Sequence, residues 1–294
     1  MGLRLKFNLV LLTVFVVGLG ATGYMSYELL HQNARDEVLR NAGVMMEASL
    51  SMRSYTVAHV RPNLPYDPDK FLPQSVPAFA ATEIMTLLRK KYPDFAYKEA
   101  TINPTNPRNR AVDWESDIVS AFRNDAGRSE ISGIRDTPTG RSLYLARPLQ
   151  IRDAACLSCH TNAEMAPPAM VKIYGPSNGF GWKLNEVIGA QVVSVPMNLP
   201  IRNANRAFVT FMSSLALVFA VLFVVLNIML TQLIVEPITE LSAAADQMSK
   251  GRVNIAELPA KGKDEVAQLG QAFNRMRRSL EKAMSMIDKD RTLG

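Results

Sequence analysis

The chain has 294 residues, a formal net charge of +6 and a hydrophobic content of 48%, which leaves room for one soluble domain plus smaller segments. The positive charge is spread along the chain, and no basic stripe interleaved with aromatic residues is present. We therefore expect no nucleic-acid partner. The apolar residues are instead concentrated in two blocks.

These two uncharged apolar blocks, residues 7–26 and 207–235, predict transmembrane helices. A hydrocarbon core about 30 Å thick needs roughly 20 apolar residues in helical conformation, and both blocks reach that length. We expect the first helix to be an uncleaved anchor. A cleaved signal peptide is the alternative, because Gly18-Leu19-Gly20 is a weak small-x-small site. Arg4 and Lys6 favour a cytoplasmic N-terminus.

The residues between the blocks show alternating helix and strand patterns. Helices are predicted at 28–58, 78–91 and 113–124, and strands at 95–102, 130–135, 141–148 and 187–196. Helices packed on one antiparallel sheet form an α+β domain. The predicted segments are a cytoplasmic N-terminus (1–6), a first transmembrane helix (7–27), an extracytoplasmic α+β domain (28–206), a second transmembrane helix (207–235), a helical pair (236–288) and a tail (289–294).

The only two cysteines, Cys156 and Cys159, are followed directly by His160. Cys-x-x-Cys-His is the spacing that attaches c-type haem. One turn of backbone presents both thiols to one porphyrin edge, and the adjacent histidine reaches the iron as its proximal ligand. The motif therefore predicts one covalent haem c. Because such haem is attached outside the cytoplasm, the domain between the two anchors is expected to be exported.

Three other interpretations of this motif are weaker. A zinc site normally has four protein ligands, and the only other histidines, His31 and His59, are about a hundred residues away. A thioredoxin-like redox pair needs a βαβ context, which the pattern does not show. A local disulfide between the two cysteines would not explain why a histidine, His160, directly follows them.

The sixth iron ligand is open between several candidates. His59 lies where the first predicted helix gives way to a proline-rich loop, and it is the favoured distal ligand. Met165 and Met170 follow the motif closely and are alternatives, as is an open site. His31 lies near the membrane surface and is expected to be solvated. The arginines that are candidates for pairing with haem propionates, or for ordinary surface charge, are Arg53, Arg61 and Arg147.

Two heptad-patterned helices follow the second apolar block. The first seam contains Leu241, Ala245 and Met248; a connector contains Val253, Ile255 and Leu258; the second seam contains Val266, Leu269, Phe273, Met276, Leu280, Ala283 and Ile287. Gly251 ends the first helix, and Asp264 suits the N-terminus of the second. Two short amphipathic helices cannot bury their seams alone, so a parallel four-helix bundle in a homodimer is expected.

This segment resembles the HAMP linker through four features: Pro237 early in the first helix, Gly251, the pair Asp264-Glu265, and Phe273-Asn274-x-Met276. The resemblance covers about 50 residues and assigns residues 236–288 to a HAMP domain. It implies a homodimer that passes motions of the membrane helices to an output domain.

The exported domain resembles a bacterial family of c-type haem sensory domains with a PAS-like fold, formerly catalogued as a domain of unknown function. The matching blocks are Asn103-Pro104-Thr105-Asn106-Pro107, Trp114-Glu115, Cys156-Leu157-Ser158-Cys159-His160, Tyr174-Gly175, Gly179-Phe180-Gly181-Trp182 and Gly189-Ala190-Gln191-Val192-Val193-Ser194-Val195-Pro196. They cover roughly residues 30 to 200. The resemblance implies haem held by His160 against a small antiparallel sheet. A distal cysteine, known in at least one relative, cannot be carried over because this chain has no third cysteine.

Taken together, these features predict a receptor in the bacterial inner membrane, with a periplasmic haem domain that senses redox state or a diatomic gas. A membrane-tethered monohaem cytochrome c electron carrier is the alternative. We expect no enzymatic activity, because no phosphate loop, nucleophile constellation or histidine-kinase signature is present. No output domain follows the last seam position. This indicates either a separate cytoplasmic output protein, such as a kinase or a chemoreceptor-type partner, or a truncated receptor.

Overall fold

The computed structural model describes residues 2–64, 67, 69–125, 127–138, 140–252, 255–259 and 262–293, without the side chains of 287–293. Val253 and the side chain of Ile287, both named in the predicted helical pair, therefore lie outside the described residues. The chain divides into two compact units. One is Tyr27–Ala207, and the other combines Met1–Ser26 with Phe208–Gly294.

The secondary structure follows the predicted order. The helices are α1 (Leu3–Tyr55), α2 (Pro77–Lys91), α3 (Asp113–Asn124), α4 (Leu157–His160), α5 (Pro168–Tyr174), α6 (Asn198–Leu230), α7 (Glu236–Ser249) and α8 (Glu265–Leu293). The strands are β1 (Ala96–Thr101), β2 (Ile131–Thr137), β3 (Gly140–Gln150) and β4 (Val187–Pro196). The π-helical turns Thr56–Val60 and Thr231–Val235 follow α1 and α6.

Helix α1 is continuous across the boundary between the first predicted transmembrane helix and the helix predicted at 28–58. Neither proline nor a glycine pair interrupts it, so nothing in the sequence breaks the hydrogen-bond ladder there. Helical structure continues through the π-helical turn, and a short 3₁₀ turn with Pro62 follows at Arg61–Asn63.

The four strands form one antiparallel sheet in the order β1-β4-β3-β2. Strand β4 lies in the interior of the sheet, where Ala190 pairs with Ala100 of β1 and Val193 pairs with Leu145 of β3. This confirms the predicted domain with helices on an antiparallel sheet.

Alternate residues of the strands bury two separate cores, because successive side chains of a strand point to opposite faces. On one face, α1 and α2 pack on odd-numbered strand residues; this core includes Val38, Met46, Met85, Tyr97, Leu145 and Val193. On the other face, α3 packs on even-numbered residues; this core includes Ile118, Val119, Phe122, Ala100, Ala146 and Val192. The sheet therefore holds α1 on the opposite face from α3.

Two helical stretches, Leu3–Asn63 and Asn198–Ser249, are long and apolar enough to cross a membrane, and no residue of either apolar window is buried. That exposure argues against the core helix of a soluble protein. The stretches contact each other through Phe15 and Phe219, whose rings stack at 4.7 Å. Gly23 provides a second close approach, because a Cβ there would lie 3.3 Å from Cε of Met212.

Helices α7 and α8 share a small core formed by Ala244, Met248 and Phe273. The buried Asn274 side chain pairs with both backbone groups of Leu258: its Nδ2 donates to the carbonyl at 2.9 Å and its Oδ1 accepts from the amide at 3.1 Å. In the single chain Ala244 is buried, whereas Ala245 of the predicted first seam is exposed.

Candidate functional site

The Cys-x-x-Cys-His segment forms a compact turn shortly after β3. A 3₁₀ turn at Ala154–Cys156 leads directly into α4, which ends at His160. The Asp153 carboxylate begins this turn by accepting from the backbone N–H of Ala155 at 2.8 Å, a helix-capping contact. Cys156 and Cys159 are half-buried and are not joined in a disulfide. Both thiols are therefore available for covalent chemistry.

The His160 ring is fixed in orientation by two neighbours. Its Nδ1 lies 2.7 Å from the carbonyl oxygen of Gly179, to which it donates. The Trp182 ring stacks on it at 3.9 Å with an interplanar angle of 17°. Burial lowers the pKa of His160, although the hydrogen bond to Gly179 opposes that effect. The ring is therefore neutral near neutral pH, with its proton on Nδ1 and its lone pair on Nε2, the form that ligates metals.

The Gly179 carbonyl is itself held in place by Asn103. The Asn103 side chain accepts from the N–H of Gly179 and donates to the carbonyl of Phe180, both at 3.1 Å. Gly179 has φ of +83°, and a Cβ there would lie 2.0 Å from the Thr105 hydroxyl oxygen, so only glycine fits. Two of the sequence blocks noted above, 103–107 and 179–182, thus meet at His160.

Charges from two segments of the chain affect the Cys156 thiol. Burial and Asp153 raise the pKa of the Cys156 thiol, while the charges of Arg53 and Arg61 act in the opposite direction. Arg61 is exposed, whereas Arg53 is committed to a salt bridge with Glu99 at 2.5 Å.

Glu99 is the most deeply buried charged residue of this region, with 1% exposure. Arg53 contacts both of its carboxylate oxygens, and the Tyr97 hydroxyl donates to one of them at 2.8 Å. The Gln191 side chain donates to the same hydroxyl at 3.4 Å. Burial, and then the Glu99 charge, raise the pKa of Tyr97. Burial lowers the pKa of Arg53, but Glu99, together with Tyr97 and Cys156, raises this pKa by more, so that it lies above its ordinary value.

The candidate sixth ligands occupy different environments. His59 is exposed within the π-helical turn Thr56–Val60, with its ring 5.3 Å from that of Tyr55. It lies on the segment between Arg53 and Arg61, whose charges both lower the pKa of the Cys156 thiol. Met165 is exposed and Met170 is buried.

The third histidine, His31, and the propionate candidate Arg147 both contact residues near them in the structure. The His31 ring lies 3.9 Å from the Tyr27 ring, tilted by 31°, and its Nδ1 lies 2.9 Å from the carbonyl oxygen of that residue. Arg147 forms ion pairs with Glu47 at 2.6 Å and Glu130 at 3.0 Å. A propionate role for Arg147 would have to compete with both carboxylates, which leaves Arg61 as the better candidate.

The donor set fits haem c better than zinc. Within the part of the chain that the structure describes, no three His, Cys, Asp or Glu side chains converge as metal ligands must. Cys156, Cys159 and His160 therefore do not surround a single point, as a tetrahedral zinc site requires. Two thiols spaced along a turn, followed by a neutral imidazole with a free Nε2, match the needs of a haem bound by two thioethers and one axial nitrogen.

The sequence alone does not predict two parts of the site, Asn103 and Glu99. Asn103 was noted only inside a loop block, and its pairing with Gly179 depends on tertiary structure. Glu99 carried a usable signal, because an acidic residue at an inward position of an alternating strand needs a buried partner.

Two segments of the chain are similar to known protein families. The family model described as Tll0287-like matches residues 31–196, and a HAMP domain model matches residues 229–282. The crystal structure of the cyanobacterial heme-protein Tll0287 aligns at 14% identity, with a TM-score of 0.44, over 54% of this chain and 95% of that chain. No curated protein sequence matches the chain. The predicted resemblance to a haem sensory family followed by HAMP is confirmed. Because the first match covers more than half of the chain, the chain belongs to the Tll0287-like family and continues into a HAMP domain.

Proposed function

We propose that this protein is a membrane-bound receptor that carries one covalent haem c on Cys156 and Cys159, with His160 as the proximal iron ligand. The observation that carries the proposal is the hydrogen bond from His160 Nδ1 to Gly179, which places the ring proton on Nδ1 and leaves the Nε2 lone pair available as a ligand. Bound haem would supply a one-electron redox centre and a position for a diatomic gas.

The residues of the chain would hold and tune that group. Trp182 and Gly179 fix the His160 ring, and hydrogen bonding at Nδ1 makes Nε2 a stronger donor. The exposed Arg61, whose charge lowers the pKa of the Cys156 thiol, is the proposed partner of a haem propionate. His59 is the proposed distal ligand, because it is exposed and lies on a π-helical turn, and such turns often occur at functional sites.

The proposed topology places the haem domain outside the cytoplasm, in the periplasm of a bacterium with the chain anchored in its inner membrane. The proposed boundaries are 1–6 for the cytoplasmic N-terminus, 7–27 and 207–235 for the membrane helices, 28–206 for a PAS-like sensor domain, 236–288 for HAMP and 289–294 for the tail. Haem attachment outside the cytoplasm supports this orientation, as do Arg4 and Lys6.

The HAMP helices support a homodimer. Leu269, Met276 and Leu280 of the second seam are exposed in the single chain at 54%, 56% and 39%. Apolar side chains at heptad spacing are ordinarily covered by a partner helix. A second copy would cover them in a parallel four-helix bundle.

The resulting function is signal relay without catalysis. A change of haem redox state, or the binding of a diatomic gas, would change the relative stability of two packings of the membrane helices and the HAMP bundle. A separate cytoplasmic output protein, a kinase or a chemoreceptor-type partner, would respond to that bias.

Optical spectra of the protein expressed with cytochrome c maturation test this function. We expect a reduced α-band of c-type position that survives denaturation and acid-acetone extraction, and that is lost in the Cys156→Ala/Cys159→Ala variant. Absence of covalent haem despite competent maturation would overturn the proposal. Fusing the chain to a heterologous kinase should then give redox- or gas-dependent output, whereas constant output would favour an electron carrier.

A further inference from the structure

A cavity of about 330 Å³ lies within the unit Tyr27–Ala207, apart from the haem-attachment segment. Its walls come from α2, β1, β2, β4, the 3₁₀ turn Pro107–Asn109 and the start of α3. None of Cys156, Cys159 and His160 lines it. A cavity of this size holds a small organic molecule, so its lining indicates which kind of molecule would fit.

The charges that line this cavity are unbalanced. Four of the lining side chains are cationic: Arg89, Lys98, Arg108 and Arg135. The only carboxylate in the lining is that of Glu115. Positive charges therefore outnumber negative ones by three, and a recess lined by one sign of charge attracts ligands of the opposite sign.

The Glu115 carboxylate is already fully engaged. It is buried, with 4% exposure, and its Oε2 accepts from Nζ of Lys98 at 2.6 Å and from the backbone N–H of Val112 at 2.9 Å. Arg108 has a partner of its own, because it pairs at 2.6 Å with Glu83, which does not line the cavity. Glu115 therefore leaves the charges of Arg89 and Arg135 uncompensated.

Arg135 is held at the cavity by an aromatic side chain. Its guanidinium carbon lies 3.9 Å from the centroid of the Trp114 ring, and that ring in turn contacts the Tyr144 ring at 5.4 Å. Stacking uses the face of the guanidinium and leaves its N–H donors free. Among the residues that the structure describes, neither Arg135 nor Arg89 has an ion-pair or hydrogen-bond partner for its side chain. A planar fork of free donors matches the two oxygens of a carboxylate.

The positions of the cations favour a ligand with several carboxylates over inorganic phosphate. Arg89 is on α2, Lys98 is on β1 and Arg135 is on β2, so the positive charges come from separate elements and not from one point. Phosphate is commonly bound by the free N–H groups of a helix N-terminus. At the start of α3 that position already has a negative group, because Glu115 accepts from Val112.

We propose that this cavity is a binding site for a small organic polycarboxylate, with Arg89 and Arg135 as its principal contacts. The site is separate from the haem, so binding does not depend on whether haem is attached. It adjoins the loop that positions His160, since Arg108 donates its backbone N–H to the Asn106 side chain, three residues after the Asn103 that holds Gly179. The receptor would then have a second chemical input on the same loop.

The test is isothermal titration calorimetry of the full chain in detergent, in a buffer without phosphate or carboxylates, with citrate as the probe. Wild type should bind citrate saturably. Arg135→Gln and Arg89→Gln should each weaken binding by about tenfold or more, because each removes a charged donor to a carboxylate. Arg141→Gln is the matched control: it removes the same charge from the same domain, but Arg141 is exposed and does not line the cavity. Its affinity should stay within about twofold of wild type, as for other exposed charges.

Three results would overturn the proposal. The first is the absence of saturable binding of both citrate and succinate to wild type. The second is equal weakening in Arg141→Gln and in the two cavity variants, which would show that binding follows the overall charge of the domain. The third is inorganic phosphate binding as tightly as citrate, which would contradict the assigned ligand class. Arg89 is exposed on α2, so Arg89→Gln keeps the test decisive if Arg135→Gln does not fold. Haem content measured on the same samples tests the proposed function separately.

Discussion

His160 donates from Nδ1 to the carbonyl oxygen of Gly179 at 2.7 Å, although the two residues are 19 positions apart. The acceptor is a backbone group in a loop, so its position depends on what holds that loop. Asn103 does so through two hydrogen bonds to Gly179 and Phe180. The orientation of the proposed proximal ligand is therefore set by a residue that does not touch it.

We expect Asn103→Ala to weaken haem incorporation. Removing the side chain leaves the Gly179 amide and the Phe180 carbonyl without their partner, at a cost of about 1–3 kcal/mol in local stability. Loss of an outer partner of a metal ligand typically reduces affinity or activity by about 10–100-fold. The measurement is the ratio of haem absorbance to protein after expression with maturation factors. Asn124→Ala, at an exposed asparagine that ends α3, is the control and should keep the wild-type ratio; an equal ratio in both variants would contradict this role.

The distal ligand is tested by a pair of histidine variants. If His59 ligates the iron, His59→Ala should convert a low-spin spectrum to a high-spin one, because loss of a strong axial nitrogen weakens the ligand field. His31→Ala is a matched control, since His31 is engaged locally with Tyr27 and its loss should leave the spectrum unchanged. Electron paramagnetic resonance of the oxidised proteins distinguishes the two spin states. An unchanged spectrum in His59→Ala would contradict ligation by His59 and favour Met165 or Met170 as the sixth ligand.

In the HAMP domain we expect Asn274→Ala to release the connector from α8. Asn274 is buried and satisfies both backbone groups of Leu258. An alanine leaves these groups without their partner, which costs about 1–3 kcal/mol. Hydrogen exchange of the Leu258 amide should accelerate roughly 5–150-fold, the equivalent of that cost. Gln247→Ala, at an exposed position of α7, should leave this exchange unchanged, and equal rates in the two variants would show that Asn274 does not hold the connector.

Local patterns predicted much of this fold. The helix predicted at 113–124 and the strand predicted at 187–196 have those bounds in the structure, because apolar periodicity alone specifies them. The Cys156-x-x-Cys159-His160 motif was likewise evident from spacing. The strand order β1-β4-β3-β2 was not predictable, since it depends on pairing between distant segments.

The same limit applies within the site. An inward-pointing Glu99 signals a buried cation, but the chain has 33 lysines and arginines. Arg53, 46 positions away, becomes identifiable only when α1 is packed on the sheet. The Gly179 carbonyl gives no signal at all, because every residue carries such an acceptor.

Alkaline stability should depend on Tyr97. Burial, followed by the Glu99 charge, raises the pKa of its phenol above the ordinary value of about 10. The folded protein therefore retains this proton where the unfolded chain loses it, so Tyr97 contributes stability that is lost as pH rises above about 10. Thermal unfolding of the full chain should show that stability falls less steeply between about pH 9 and 11 in Tyr97→Phe than in wild type. At neutral pH the variant should be less stable than wild type by about 1 kcal/mol, because the hydrogen bond is lost. Tyr92→Phe, at an exposed tyrosine, should follow the wild-type curve, and identical slopes in all three proteins would contradict the assignment.

The proposed dimer is tested at the second HAMP seam. Leu269 is 54% exposed in the single chain, and a partner helix in a parallel bundle would bring its two copies close together. Leu269→Cys should therefore form disulfide-linked dimers in oxidised membranes, seen as a doubled mass on a non-reducing gel. Arg278→Cys is the matched control: it is exposed and lies nine residues on, so at about 100° per residue it projects from the opposite side of α8. The Cys156→Ala/Cys159→Ala background excludes cross-links through the native thiols. Equal cross-linking at positions 269 and 278 would indicate random collision, whereas a strong preference for 269 places the exposed seam between two copies of the chain.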